Sequence, residues 1–183
     1  MNAGLRRMIE MAALCAAVTF LAGCKQNFAL TNRTFVLELG SDVYGNPALY
    51  LNDPETVDTS KLSVEPVSPG ITVTDNRFVT VGLDYLSVGE YDFVIRQGEE
   101  TTPFRIKIKD TKPPTLSTPV TELDVTYGQE VDWNSVFHGN DLSGVYYEAP
   151  ADLSWNTTER DEQIKVRDRF GNSVTQTVHI RVH

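Results

Sequence analysis

Cys24 is the residue of this 183-residue chain best placed to do chemistry. Its thiol follows Leu21 and two small residues, Ala22 and Gly23, that close an apolar run, where a signal peptidase can cut and the thiol can be modified. The sequence holds no Gly-x-Ser-x-Gly elbow, no His-Glu-x-x-His pair and no phosphate-cradling glycine loop. His138, His179 and His183 have no metal-ligand spacing with a cysteine or a near carboxylate. On a strand, His179 and His183 share a face with Arg181, opposite Ile180 and Val182, and read as solvated edge residues. Glu99-Glu100 and Asp161-Glu162 are adjacent pairs that point to opposite faces of a strand or lie in a turn, whereas glycoside hydrolysis needs two carboxyl groups facing each other across a cleft. No catalytic residue is assigned and no enzyme activity is expected. Asp110, Asp141 and Asp168 are calcium candidates at strand ends. Calcium takes about six to eight oxygens, however, and a single aspartate beside Gly or Asn is equally a turn former, so neither metal nor cofactor is assigned.

The segment before Cys24 begins with Arg6 and Arg7 and runs apolar from Met11 to Ala22. That is too short for a membrane span, which needs roughly 20 residues, and has the length and flanks of an export signal. Leu21-Ala22-Gly23-Cys24 resembles the lipobox of bacterial lipoproteins. The resemblance implies that residues 1–23 are a cleaved signal peptide and that Cys24 becomes the first mature residue, carrying diacylglyceryl and palmitate-type acyl groups. Each buried methylene adds about 0.8 kcal/mol, so two or three chains hold a domain to a membrane where one does not. The expected location is the extracytoplasmic face of the cell membrane, lipid-anchored. Residues 24–32 read as a short lipidated polar tether.

The formal net charge is −9 over the whole chain, and removal of Arg6, Arg7 and Glu10 with the signal takes it to −10. Nucleic acid is therefore an unlikely partner on electrostatic grounds. The only other cysteine, Cys15, lies inside the signal, so the mature chain has no internal disulfide to draw on.

The elements that must position any site are strands. Phe35, Leu37 and Leu39 alternate with polar or smaller neighbours, as do Tyr91, Phe93 and Ile95, then Phe104, Ile106 and Ile108. Turn chemistry separates such runs, as at Ser68-Pro69-Gly70, Asp75-Asn76 and Gln97-Gly98-Glu99-Glu100. No stretch of the mature chain has a convincing helical period. Asp110-Thr111-Lys112-Pro113-Pro114 breaks the pattern, because consecutive prolines neither donate to a ladder nor continue a helix. The expectation is all-β: two antiparallel sandwiches in tandem, residues 33–110 and 111–183. In the second, Trp133 and Trp155 are the expected core anchors, and Ile164 to Val182 reads as a hairpin whose loop ends in Gly171-Asn172.

Leu86-Ser87-Val88-Gly89-Glu90-Tyr91-Asp92-Phe93 resembles the start of strand F in immunoglobulin folds. The resemblance implies a tyrosine corner at Tyr91, with Phe93 standing where the second cysteine would be. The aspartates of the seam, of Asn140-Asp141-Leu142-Ser143-Gly144 and of Asp168-Arg169-Phe170-Gly171-Asn172 look like those of the Ig-like repeats of bacterial surface proteins. If Phe104, Ile106 and Ile108 face inward, Arg105, Lys107 and Lys109 face outward beside Arg96; Lys165, Arg167 and Arg181 do the same in the second half. These seven residues are the candidate binding face, for an anionic envelope polymer, a polysaccharide or another envelope protein, besides the membrane lipid met by the acyl groups. The expected function is a non-enzymatic adhesion, binding or structural module of the cell envelope. The alternative is an accessory subunit docking onto an envelope enzyme or transporter.

Overall fold

The computed structural model describes residues 26–183, and the signal segment and Cys24 lie outside the described residues. Alternation sets the strands. In β5 (Gly89–Gln97) and β6 (Glu100–Lys109), Phe93, Ile95, Phe104, Ile106 and Ile108 turn inward while their neighbours face solvent. These two strands pair antiparallel around Gly98, whose φ of 59° supplies the left-handed conformation their tight turn requires. β2 (Ser63–Pro66) pairs antiparallel with β5, and β1 (Thr34–Glu38) runs parallel to β6, giving the order β1-β6-β5-β2. The hairpin of β3 (Ile71–Thr74) and β4 (Arg77–Thr80) forms the second layer. Asp75 and Asn76 turn it at φ 50° and 60°, the pair of positive angles a two-residue hairpin favours.

The second unit repeats this plan. β11 (Arg160–Arg167) and β12 (Ser173–Val182) form the final hairpin, β10 (Tyr146–Glu148) joins β11 antiparallel, and β8 (Glu122–Val125) runs parallel to β12. The order β8-β12-β11-β10 matches β1-β6-β5-β2 strand for strand in direction. β7 (Thr115–Leu116) and β9 (Gly139–Asn140) make the short second layer. The fold is therefore all-β, two Ig-like sandwiches in tandem. It is not purely antiparallel: in each unit the first strand lies parallel to the last. Strands so far apart in sequence are joined by a connection long enough for such a crossover. This also places β12 inside its sheet, so His179 and His183 do not lie on an edge.

Two cores share no residue. The first gathers Phe93, Phe104, Phe78 and Tyr50 around Ile95, Ile106 and Ile108, with Phe35 packed against them. Phe93 is fully buried, 5.0 Å from Phe78 and 5.6 Å from Phe104 between ring centroids. Tyr50 donates its hydroxyl to the Tyr44 carbonyl at 2.7 Å, and burial pushes its pKa up to about 12. The tyrosine corner is present: Tyr91 donates to the Ser87 carbonyl at 2.9 Å.

The second core is built on Phe137, Ile164, Val166, Val178 and Ile180, all fully buried. Here the tryptophan expectation is corrected. Trp155 is 61% exposed, its ring lying beside Gly128 and edge-on to Tyr127. Trp133 is half-buried, stacked at 5.7 Å on Phe137, which takes the anchoring place. Both aromatics belong to a helical turn that alternation did not reveal, α1 (Trp133–Phe137). Asp132 caps it by accepting from the Asn134 and Ser135 amides, and His138 ends it at φ 46°.

Residues 26–32 do not stand off as a tether. Phe28 and Leu30 pack on the first core, Thr31 donates its amide to the Tyr50 carbonyl at 2.9 Å, and Asn52 donates to Ala29 at 2.9 Å. Gln26 is already tied to Asp58. The folded unit therefore starts two residues after Cys24.

Candidate cation centre and charged sheet faces

The seven basic residues of the expected binding face do lie on outward strand positions, but the sheet surrounds them with carboxylates. Arg96 donates to both oxygens of Glu65 at 2.8 Å. Arg105 bridges Asp92 at 2.9 Å and Glu90 at 3.1 Å, and Lys107 pairs with Glu90. Glu148 takes Arg167 and, at 3.5 Å, Lys165. Arg181 holds Glu122 at 2.8 Å and faces Asp124 at 3.7 Å. Of the seven, Lys109 alone has no ion pair among the described residues. The cause is register: Asp92 sits opposite Arg105, Glu90 opposite Lys107, Glu148 opposite Lys165 and Asp124 opposite Arg181. The Lys107 ammonium, then Arg105, holds the Glu90 carboxyl below its usual value; Arg96 does so for Glu65 and Arg167 for Glu148. Each face is a ladder of alternating sign. Sequence reading placed the cations correctly and missed their partners, because cross-strand register is a tertiary fact.

A different constellation forms where the sandwiches meet. Asp110 follows β6 directly, Asp141 follows β9 and Asp168 follows β11, so three strand ends deliver one aspartate each. A carboxylate oxygen from each lies within 4.8 Å of the other two. Asp168 is fully buried. Its Oδ1 accepts from the Phe170 and Asn172 amides at 2.8 and 2.9 Å, and its Oδ2 from the Asn172 side chain at 2.6 Å. Asn172 Nδ2 also donates to the Asp110 carbonyl at 3.1 Å, tying the final hairpin loop to the linker. Asp141 Oδ1 accepts from the Ser143 amide and hydroxyl, both at 2.8 Å. Asp110 Oδ2 is buried and has no hydrogen-bond partner. Burial raises the Asp110 pKa; the Ser143 hydroxyl works against this, and the negative charges of Asp141, Asp168 and Glu38 work with it. No Lys, Arg or His among the described residues forms an ion pair with any of the three.

The seam around this cluster also carries positive charge, from Lys112 near Glu38 and Arg169 in the neighbouring groove. Glu38 at the end of β1 accepts from the Thr111 amide at 2.8 Å and hydroxyl at 2.6 Å, which holds its carboxyl below the usual value. Leu142 lies over Gly40, where a Cβ would sit 2.6 Å from its Cδ1. A groove of about 460 Å³ beside it is lined by Leu39 and Leu83 from one unit and by Leu142 and Phe170 from the other. The sequence pointed to these aspartates one loop at a time. Their convergence depends on how the two units dock.

No family model matches the sequence, and no curated protein matches it. Among solved structures, a human mucin-like protocadherin EC1-2 fragment is 13% identical with a TM-score of 0.32, over 87% of this chain and 99% of that one. An I-band fragment of titin is 10% identical with a TM-score of 0.32, over 86% and 65%. An endo-fucoidan hydrolase of glycoside hydrolase family 107 is 14% identical with a TM-score of 0.29, over 90% of this chain and 30% of that one. The fold stands on the pairing and burial described above, independently of these low-scoring likenesses. No helix of the described residues is long and apolar enough to cross a membrane.

Proposed function

We propose that this chain is an exported lipoprotein, anchored through acyl groups on Cys24, whose two sandwiches form a non-enzymatic binding or structural arm at the extracytoplasmic face of the cell membrane. The observation that carries the reading is Leu21-Ala22-Gly23-Cys24 at the end of a short apolar segment led by Arg6 and Arg7. Gln26 is already bonded to Asp58, so only Lys25 separates the anchor from the folded unit. The first sandwich then rests against the headgroups, and the second projects from it through the Asp110–Pro114 linker.

The ladders narrow the kind of partner. A polyanion would have to displace a carboxylate at six of the seven basic positions, which favours another envelope protein of mixed charge over an anionic polymer. Fractionation tests the anchor: the wild-type chain should sediment with membranes and resist extraction by high salt. Cys24→Ser should release it or leave it unprocessed. Salt-extractable wild-type protein, or a Cys24→Ser chain that is processed and still retained at the membrane, would refute the reading.

A further inference from the structure

We propose that the second sandwich carries a groove for an uncharged glycan of gluco-configured pyranose rings, walled by Trp133 and Tyr147, lined by Ser154 and extended by the exposed pair Tyr127 and Trp155. The site is separate from the sheet ladders and independent of the lipid anchor.

The groove has two lobes, of about 240 and 390 Å³, that share Glu130, Trp133 and Tyr147 along their walls. Local structure fixes the rings. Trp133 opens α1, and Tyr147 on β10 accepts from the Gly139 amide at 3.1 Å and donates to the Asn134 side chain at 3.3 Å. Trp133 lies at 14° to Phe137, and Phe137 at 17° to Tyr147, so three ring planes run nearly parallel. Parallel planes present flat steps to a flat ligand, whereas a quaternary ammonium is enclosed by faces set around it.

The polar groups of the groove lack protein partners. Ser154 is only 8% exposed, yet its hydroxyl makes no hydrogen bond with any described residue and is left to be satisfied from the first lobe, which it lines. A buried hydroxyl without a partner is costly. Glu130 forms no ion pair or hydrogen bond with a described residue, and Asn134 keeps its Nδ2 donor free in the second lobe. An acceptor, a donor and a hydroxyl that does both match the rim of a sugar. No Lys, Arg or His lines either lobe, so nothing there neutralises a phosphate, sulfate or carboxylate. Pyranoses with all-equatorial substituents fit this set: their axial C–H bonds stack on aromatic faces while their hydroxyls point outward in the plane of the ring.

Tyr127 and Trp155 continue the aromatic surface. They are 51% and 61% exposed, with ring centroids 5.6 Å apart. Ser154 joins them to the groove, because its carbonyl accepts from the Gly128 amide at 2.9 Å and holds Trp155 over Gly128. Tyr127 donates its amide to the His183 carbonyl at 2.8 Å, whereas the seam lies beyond the other end of β12, at Asn172. The 10 residues of β12 separate the two ends by roughly 33 Å, so the pair lies at the end of the second sandwich away from the first.

The test uses the full chain in a detergent without a sugar headgroup, titrated with cellotetraose and, separately, N-acetylchitotetraose, and followed by calorimetry and tryptophan fluorescence. At least one should bind with a dissociation constant of about 10⁻⁵ to 10⁻³ M, as a shallow groove holding a few rings allows, and should shift the tryptophan emission. Trp155→Ala, at an exposed position, should weaken binding about fivefold or more, and Ser154→Ala about threefold or more. Circular dichroism establishes that both variants are folded, and the wild-type titration decides alone if neither is. Three results would overturn the proposal: no heat and no fluorescence change with either glycan up to about 10 mM, unchanged affinity in both folded variants, or tighter binding of choline or trilysine than of both glycans.

Discussion

Phe93 shows at the scale of one residue how the described residues, which include no cysteine, hold the first sandwich together. It occupies the strand position where immunoglobulin folds place a cysteine, and it is fully buried between the rings of Phe78 and Phe104. Phe93→Ala should destabilise the protein by about 3–5 kcal/mol, read by urea unfolding of the detergent-solubilised chain. Tyr91→Phe removes only the hydroxyl that donates to Ser87 and should cost about 0.5–1.5 kcal/mol in the same assay. Both residues were legible in the sequence, because a tyrosine two positions before an inward aromatic is a local pattern. Trp155 was not. Its size suggests burial, but its ring lies over the bare backbone of Gly128 and stays mostly exposed, while the smaller Phe137 fills the core from a helical turn too short to show periodicity. Asp168 was readable as a turn residue; its complete burial was not, because that depends on the loop folding back over it.

Among the elements, strand existence followed from alternation, while direction and partners did not. Nothing local distinguishes β1 and β8 as strands that pair parallel with the last strand of their units. The same limit hid the ladders. Glu90 stabilises its neighbours as an anion, and Lys107 and Arg105 hold its pKa below the ordinary value of 4.5. A depressed folded-state pKa means that this contribution is full above the unfolded value and fades as pH falls through the folded one. Stability of the wild-type chain should therefore fall more steeply on acidification below about pH 4.5 than that of Glu90→Gln, a modest difference because the pair is exposed. Freed of Glu90, Arg105 and Lys107 become a net positive patch, so Glu90→Gln should elute from a polyanionic matrix at higher salt than wild type. Equal elution would mean that the pairs do not neutralise the face.

At the scale of the molecule the seam decides behaviour. Gly40 has φ 83° and faces Leu142. Leu142 ends in a flexible, 55% exposed side chain that can rotate away, so Gly40→Ala should cost about 1–2 kcal/mol through its backbone alone, and adding Leu142→Ala should not recover it. The proline-rich linker is a local feature of the sequence; the docking that gathers Asp110, Asp141 and Asp168 was not legible there, because it joins loops far apart in sequence. The proposed anchor is the converse case, resting wholly on four residues of sequence. The most direct measurement of the account is the intact mass of the chain purified from membranes of cells that export it. The mass should correspond to residues 24–183 plus a diacylglyceryl group on Cys24, with or without a further acyl chain. A mass that retains residues 1–23, or a processed chain with an unmodified Cys24, would contradict it.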